Sequence, residues 1–416
     1  MRMRTPVALI SAGLLLAACG GTSANRAAPG DKLYEAIAVS HSQYVTVIDS
    51  RSHQTERRLP LGVPTSDWKH LYSLVDTSIL DTDPQTGATL GTLQLGHAYR
   101  MPNATANGLP GGMAPNGRWL VVERYDAPEG DGLPSASHFL LINTQPLHVV
   151  GRIDLAGFFD FDAISNDGNR LFLVQYLNGR EYYVRMYDVA AGFLEPNPVV
   201  DKTDASEAMS GIKLSGIAST DARWLFSMYV REHANPFIHA LNLDGFALCL
   251  DLRGAGYAED DKAMQWSIAM SPDGGTLYAA NLGNGEVAVV SLTRDAPQVV
   301  RTAHVPLNSS TGGLIKTVSA KELALNAAVV SPDGKTLVVA GASGVVWIDT
   351  ETLTIRKRAL ETWRIWSLGL SPNGQSLYAV ADVGSIAELS MSSGEIGERF
   401  NLGGGQPIAL MRVAAP

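Results

Sequence analysis

The sequence predicts an all-β protein: a single β-propeller of four-stranded antiparallel blades, counted at eight blades with seven as the alternative. Three observations predict it. A short turn motif recurs along the chain, a leucine follows each copy at a fixed offset, and the flanking runs are short and rich in β-branched and aromatic residues. The 416 residues are 45% hydrophobic and 18% charged, a core-forming balance that excludes a disordered chain. Lys and Arg total 32 against 41 Asp and Glu, a net charge of −9. With no basic surplus to neutralise phosphates, no nucleic-acid partner is expected.

The motif is plainest in Ser271-Pro272-Asp273-Gly274, Ser331-Pro332-Asp333-Gly334 and Ser371-Pro372-Asn373-Gly374. Each has Asp or Asn, then Leu four residues on, then an aromatic or Val. That rule also finds Asp67/Leu71/Tyr72, Asn116/Leu120/Val121, Asp167/Leu171/Phe172 and Asp221/Leu225/Phe226, and Leu33-Tyr34 after Pro29-Gly30 opens the first unit. The eight leucines lie 38 to 60 residues apart. Proline presets φ for the second turn position, Asp or Asn accepts the turn's amide hydrogens, and glycine takes the left-handed place that follows. Third strands end an apolar run in a polar residue, as in Val45-Thr46-Val47-Ile48-Asp49 and Val345-Val346-Trp347-Ile348-Asp349. Four strands per ~40–50-residue unit is the pattern of a propeller blade. The N-terminal unit lacks a first strand, and Gln406 to Val413 reads as a first strand without a blade. Pairing the two closes the ring and removes both free edges. Helix is expected only as a turn or two over Ala320 to Ala328.

These residues resemble the YVTN-type β-propeller repeat, most clearly over Met264 to Leu402 with weaker copies back to Leu33. The resemblance implies the architecture and leaves the chemistry open, because one repeat serves many functions.

Residues 1–19 read as a signal: Arg2 and Arg4 precede the apolar stretch Val7 to Leu16, which is too short to span a bilayer. Its end, Leu16-Ala17-Ala18-Cys19, resembles a bacterial lipobox. The resemblance implies that Cys19 is diacylated and becomes the mature N-terminus; the alternative is an ordinary secretory signal that contains a cysteine. Residues 20–30 then form a flexible tether reaching ~18 Å, and 31–416 the propeller domain. The expected location is the bacterial cell envelope, lipid-anchored in the outer membrane, or on the outer face of the plasma membrane where no outer membrane exists. Of the two cysteines, Cys249 sits in Phe246-Ala247-Leu248-Cys249-Leu250 and reads as an inert core thiol.

In a propeller the second-to-third strand turns and the links between blades share one face. The long segments fall there: His97 to Gly112, Tyr125 to Ser137, Asp201 to Gly211, Arg231 to Pro236, Gly254 to Lys262 and Pro306 to Glu322. Clustering of length on one face favours a binding role. The ligand-binding candidates are His97, Tyr99 and Arg100, joined by Arg124 and Tyr125; Arg231 with His233; Trp363 with Arg364; and Asp160 with Asp162, which suit either a cation or a turn cap. Inter-blade packing is expected for Trp266 and Trp366. The acidic groups Asp126, Glu129, Asp131 and Glu259, Asp260, Asp261 read as solvated rim, since neither follows a calcium-loop spacing.

Asp83-Pro84-Gln85-Thr86-Gly87-Ala88-Thr89-Leu90 resembles, once, the repeat of quinoprotein dehydrogenases, but Gly91 stands where that motif carries Trp. No cofactor is expected, and whether a metal binds is left open. No haem site, zinc spacing or nucleophile elbow appears. The expectation is a membrane-anchored, non-catalytic module that binds a protein, glycan or small molecule at its loop-rich face. The alternative is a quinoprotein-like dehydrogenase or a lactonase-type enzyme.

Overall fold

Each of the eight motif leucines opens the second strand of a separate sheet. These strands are Lys32–Val39, Leu71–Val75, Trp119–Tyr125, Arg170–Tyr176, Trp224–Val230, Thr276–Asn281, Thr336–Gly341 and Ser376–Ala381, in blades 1 to 8. Seven of the leucines are buried, and Leu225 is partly buried against the core between blades 4 and 5. The computed structural model describes residues 30–128, 132–199, 208–259, 261–293, 296–306, 327–401 and 404–416. Cys19 and the signal lie outside them, as do Glu129, Asp131, Asp260 and residues 320–326 of the expected helical turn. Among the described residues the one helical element is the 3-10 turn Asp261–Met264, and no helix is long and apolar enough to cross a membrane.

The blades are antiparallel and pack face to face through apolar side chains contributed by both neighbours. Blades 5 and 6 meet over Phe226, Met228, Ile238, Trp266, Leu277 and Val290. Trp266 is 1% exposed there, while Trp366 is half-buried beside a register shift between Ile365 and Ser367. Ring closure follows the expected pairing: Gln406–Ala414 is the innermost strand of blade 1 and runs antiparallel to Lys32–Val39.

The tight turns work as their residues dictate. In six blades a Ser or Thr hydroxyl donates to the Asp or Asn two residues on, from Thr65–Asp67 to Ser371–Asn373, at 2.5–2.7 Å. The left-handed residue is glycine in most copies, with φ of 70° to 75° at Gly117, Gly168, Gly274, Gly334 and Gly374. Trp68 (φ 56°) and Ala222 (φ 58°) occupy the same place without glycine's freedom.

Two blades depart from four regular strands. Blade 3 has three, and the bridge Met113↔Leu120 stands for its innermost strand; Pro110, Gly111, Gly112 and Pro115 interrupt a ladder there. In blade 4 both Phe193–Leu194 and Met209–Ser210 pair with Glu181–Asp188. Cys249 corrects its core assignment. It lies on the outermost strand of blade 5, Phe246–Asp251, where Leu248 and Leu250 turn to the core between blades 5 and 6 and Cys249, on the opposite face, is exposed.

The link between blades 2 and 3 turns inward over the channel. The Ala106 amide donates to the Leu214 carbonyl of blade 5 at 3.0 Å. The Asn107 side chain donates to the Ile408 carbonyl of blade 1 at 2.6 Å. Leu109 packs on Ala36, Ile408 and Ala409.

Candidate functional site

On the loop-rich face, between blades 3, 4 and 5, lies a recess of about 440 Å³ roofed by residues 103–106 of that inward link. Its chemistry is built from one link residue and from the inner strands of three blades. The Arg100 backbone is clamped to the end of Trp119–Tyr125 by a pair of hydrogen bonds with Glu123 (2.8 and 3.0 Å). Strand alternation turns Glu123 and Tyr125 toward blade 4 and Arg124 toward blade 2. The innermost strand of blade 4, Phe159–Ile164, supplies Asp160 and Asp162, and the innermost strand of blade 5, Ile212–Ala218, supplies Lys213.

These groups form two charge clusters. Arg100 lies 3.1 Å from Glu123 and 3.1 Å from Asp160, and donates to the Tyr125 hydroxyl at 2.9 Å. The Tyr125 hydroxyl donates to Asp160, and the guanidinium sits 4.5 Å from the Tyr125 ring centroid. Glu123 also accepts the Phe161 amide at 3.0 Å. Burial, and the Asp160 carboxylate after it, push the Glu123 carboxyl up to about 7 against the opposing pull of Arg100. In the second cluster Lys213 donates to Asp162 Oδ1 at 2.9 Å, while Oδ2 is buried without a hydrogen-bond partner. Burial alone would raise the Asp162 carboxyl, but the Lys213 ammonium overcomes it and holds it below the ordinary range. His239, in Phe237–Asn242, stands behind this pair, and burial drives its imidazole toward the neutral form.

Aromatic rings run along the same wall from blade 3 to blade 5. Tyr125 meets Phe158 edge-on, Phe158 stacks on Tyr176 at 4.8 Å, and Tyr182, Tyr229 and Phe237 follow at 5.1–6.1 Å. Burial raises the Tyr176, Tyr182 and Tyr229 hydroxyls, so they remain protonated donors at neutral pH.

The structure therefore brings together Arg100, Tyr125, Asp160 and Asp162 of the sequence candidates. His97 is exposed on the link, and Tyr99 is buried in the apolar core between blades 2 and 3. Arg124 pairs with Asp126 at 3.1 Å, away from the recess. Arg231 binds Asp251 and the Asn235 carbonyl, and His233 binds Glu259 at 2.7 Å, both toward the outside of blade 5. Trp363 packs on the core between blades 7 and 8 beneath Arg399, and Arg364 lies 3.6 Å from Asp382. Glu123, Lys213 and His239 were not singled out from sequence. Their available signal was an ionisable residue that ends or interrupts an apolar run, as in Leu120-Val121-Val122-Glu123 and Phe237-Ile238-His239-Ala240-Leu241.

Among the described residues no group of three or more His, Cys, Asp or Glu is arranged to hold a metal ion. A roomier hollow of about 830 Å³ lies on the opposite face beside the turns of blades 7 and 8, but it lacks the buried charges that distinguish the recess. Asp83 serves as a turn cap: its carboxylate accepts the Gln85 amide and the Thr86 hydroxyl, both at 2.8 Å, between strands Ser78–Thr82 and Thr89–Gln94.

No family model and no curated protein sequence matches the chain. Solved structures do. Dihydro-heme d1 dehydrogenase NirN, in complex with DHE, superposes with a TM-score of 0.53 at 15% identity over 90% of this chain and 74% of that one. The periplasmic gluconolactonase PpgL of Pseudomonas aeruginosa gives 0.45 at 18% identity, over 93% of this chain and all of that one. Hydrazine synthase of Kuenenia stuttgartiensis gives 0.42 at 16%, over 81% and 99%. These likenesses are of the propeller fold.

Proposed function

We propose that this protein is an exported, lipid-anchored propeller that binds a small polar ligand non-catalytically in the recess between blades 3, 4 and 5. The observation that carries the reading is the state of the charges. Arg100 is shared by Glu123 and Asp160, and Lys213 is held by Asp162. Such compensated pairs preorganise a polar wall for hydrogen bonding without leaving a free attacking group. The lipobox-like Leu16-Ala17-Ala18-Cys19 supports the anchor, and two acyl chains suffice for stable attachment.

Native mass spectrometry of the protein from its own host tests the binding role. A small molecule is expected to accompany the wild type and to be lost from Arg100→Ala, whose affinity should fall at least tenfold. Retention by Arg100→Ala would place the site elsewhere. Cys19→Ser is expected to move the protein from the membrane to the soluble fraction; unchanged membrane association would remove the anchor.

A catalytic reading is favoured by one observation, the Glu123 carboxyl near 7 beside Arg100. A carboxyl tuned to that range suits general acid–base work on an ester or lactone held by the guanidinium. Turnover of the bound molecule that disappears in Glu123→Gln, with binding retained, would replace the binding module by a hydrolase.

A further inference from the structure

The recess does not end at Asp162. A second cavity of about 200 Å³ continues from it into the channel, and the two share Asn103, Ala104, Phe161, Asp162 and Lys213 as a common wall. Their linings differ in kind. The recess presents Arg100, Glu123, Asp160 and tyrosine hydroxyls, whereas the channel cavity is closed by Val63, Met113, Ile164, Leu225 and Leu243. The Asp162–Lys213 pair stands at the boundary, with the Asp162 side chain 1% exposed. The pair therefore separates a polar lining from an apolar one.

We propose that the site takes a neutral, hydroxyl-bearing head group in the recess and a short aliphatic tail in the channel cavity, the two parts joining beside the Asp162–Lys213 pair. The proposal rests on the recess being the binding site and adds the class of its ligand. Neutrality follows from the pairing: an anionic head would compete with Glu123 or Asp160 for Arg100, and a cationic one would crowd the Lys213 ammonium. The partly exposed faces of Phe161 and Tyr176 suit the C–H surface of a sugar-like ring. The apolar lining of the channel cavity suits a few methylene groups and offers little to a polar chain.

Calorimetry on the full chain carrying Cys19→Ser, which avoids acyl groups and added detergent, tests this. The probes are alkyl β-D-glucosides from methyl to octyl below micelle-forming concentrations, with alkylammonium and fatty-acid salts of matched length. The glucosides are expected to tighten about fourfold per methylene until the cavity is full and then level off. Gly216→Val adds bulk to the channel cavity from an extended strand position where a Cβ meets its neighbours at 3.4–3.7 Å, so it should fold. It should flatten the chain-length series while leaving methyl glucoside unchanged. A series without chain-length dependence would overturn the tail, stronger binding of either charged set would overturn the neutral head, and no binding by any probe would overturn the ligand class. None of these outcomes changes the test of the recess itself, which is loss of the co-purified molecule in Arg100→Ala.

Discussion

Deleting residues 406–416 is expected to abolish the cooperative unfolding transition of the whole propeller. The deleted segment contains the innermost strand of blade 1, and no other strand among the described residues pairs with that edge of Lys32–Val39. Ile408, Ala409 and Leu410 are at most 5% exposed. Leu410 packs with Leu33, Ile48, Tyr378 and Val380 of blades 1 and 8, and its amide takes a hydrogen bond to Ser367 Oγ at 3.0 Å. Burial of each large apolar side chain contributes about 1.5–3 kcal/mol. Losing that burial and leaving the edge of Lys32–Val39 unpaired is comparable with the roughly 5–15 kcal/mol by which folded domains exceed their unfolded states. Thermal denaturation followed by circular dichroism should show a broad, low-temperature or absent transition. A milder variant, Leu410→Ala, should keep the ring closed and cost about 2–5 kcal/mol. A truncated chain melting like the intact one would mean that the ring does not depend on this strand.

The second large effect is a pH dependence centred on Glu35. This residue lies in the strand that receives the C-terminal one, is 3% exposed, and borders a cavity of about 70 Å³ with Thr46, Val383 and Gly384 at the seam between blades 8 and 1. Burial raises its carboxyl to about 7. Between the ordinary glutamate value near 4.5 and about 7 the folded chain holds a proton that the unfolded chain has released. Stability therefore falls as pH rises through that window and levels off above it. Glu35→Gln keeps the shape without the charge, so it should match the wild type near pH 4.5 and exceed it by up to about 3 kcal/mol at pH 8. Denaturant titrations across this range measure the difference directly. A constant difference at all pH values would show that Glu35 ionises in the fold without hindrance.

The periodic part of the molecule was legible because its causes are local. A Ser-Pro-Asp-Gly turn needs no distant partner, and the leucine after it is buried by whichever blade lies alongside. Blade 3 could be counted from Asn116 and Leu120, but its missing inner strand came from Pro110 to Pro115, whose path depends on the blades it crosses. For the site, Arg100 was visible on a long link, Tyr125 where another begins, and Asp160 and Asp162 as a charged pair around Phe161, although the structure places both inside the strand Phe159–Ile164. Tyr99, adjacent to Arg100, points into the core, and a loop sequence does not say which of two neighbours will turn inward. Glu123, Lys213 and His239 lie within strands. Their role depends on which sheet face meets which blade, a property of the assembled ring. Cys249 shows the same limit in reverse, since an apolar run on an outermost strand can still leave one of its side chains at the rim in water.

The inward link between blades 2 and 3 has a mechanical consequence. In an eight-membered ring, blades 1 and 5 are opposite, and Ala106 and Asn107 tie their inner strands together through adjacent residues of one chain segment. The segment is a spoke laid across the wheel. Loosening at the blade 1 seam pulls on Asn107 and, one residue away, on the roof of the recess at Ala106 and Thr105. A strain at the closure thus reaches the roof of the recess across the diameter instead of around half the circumference.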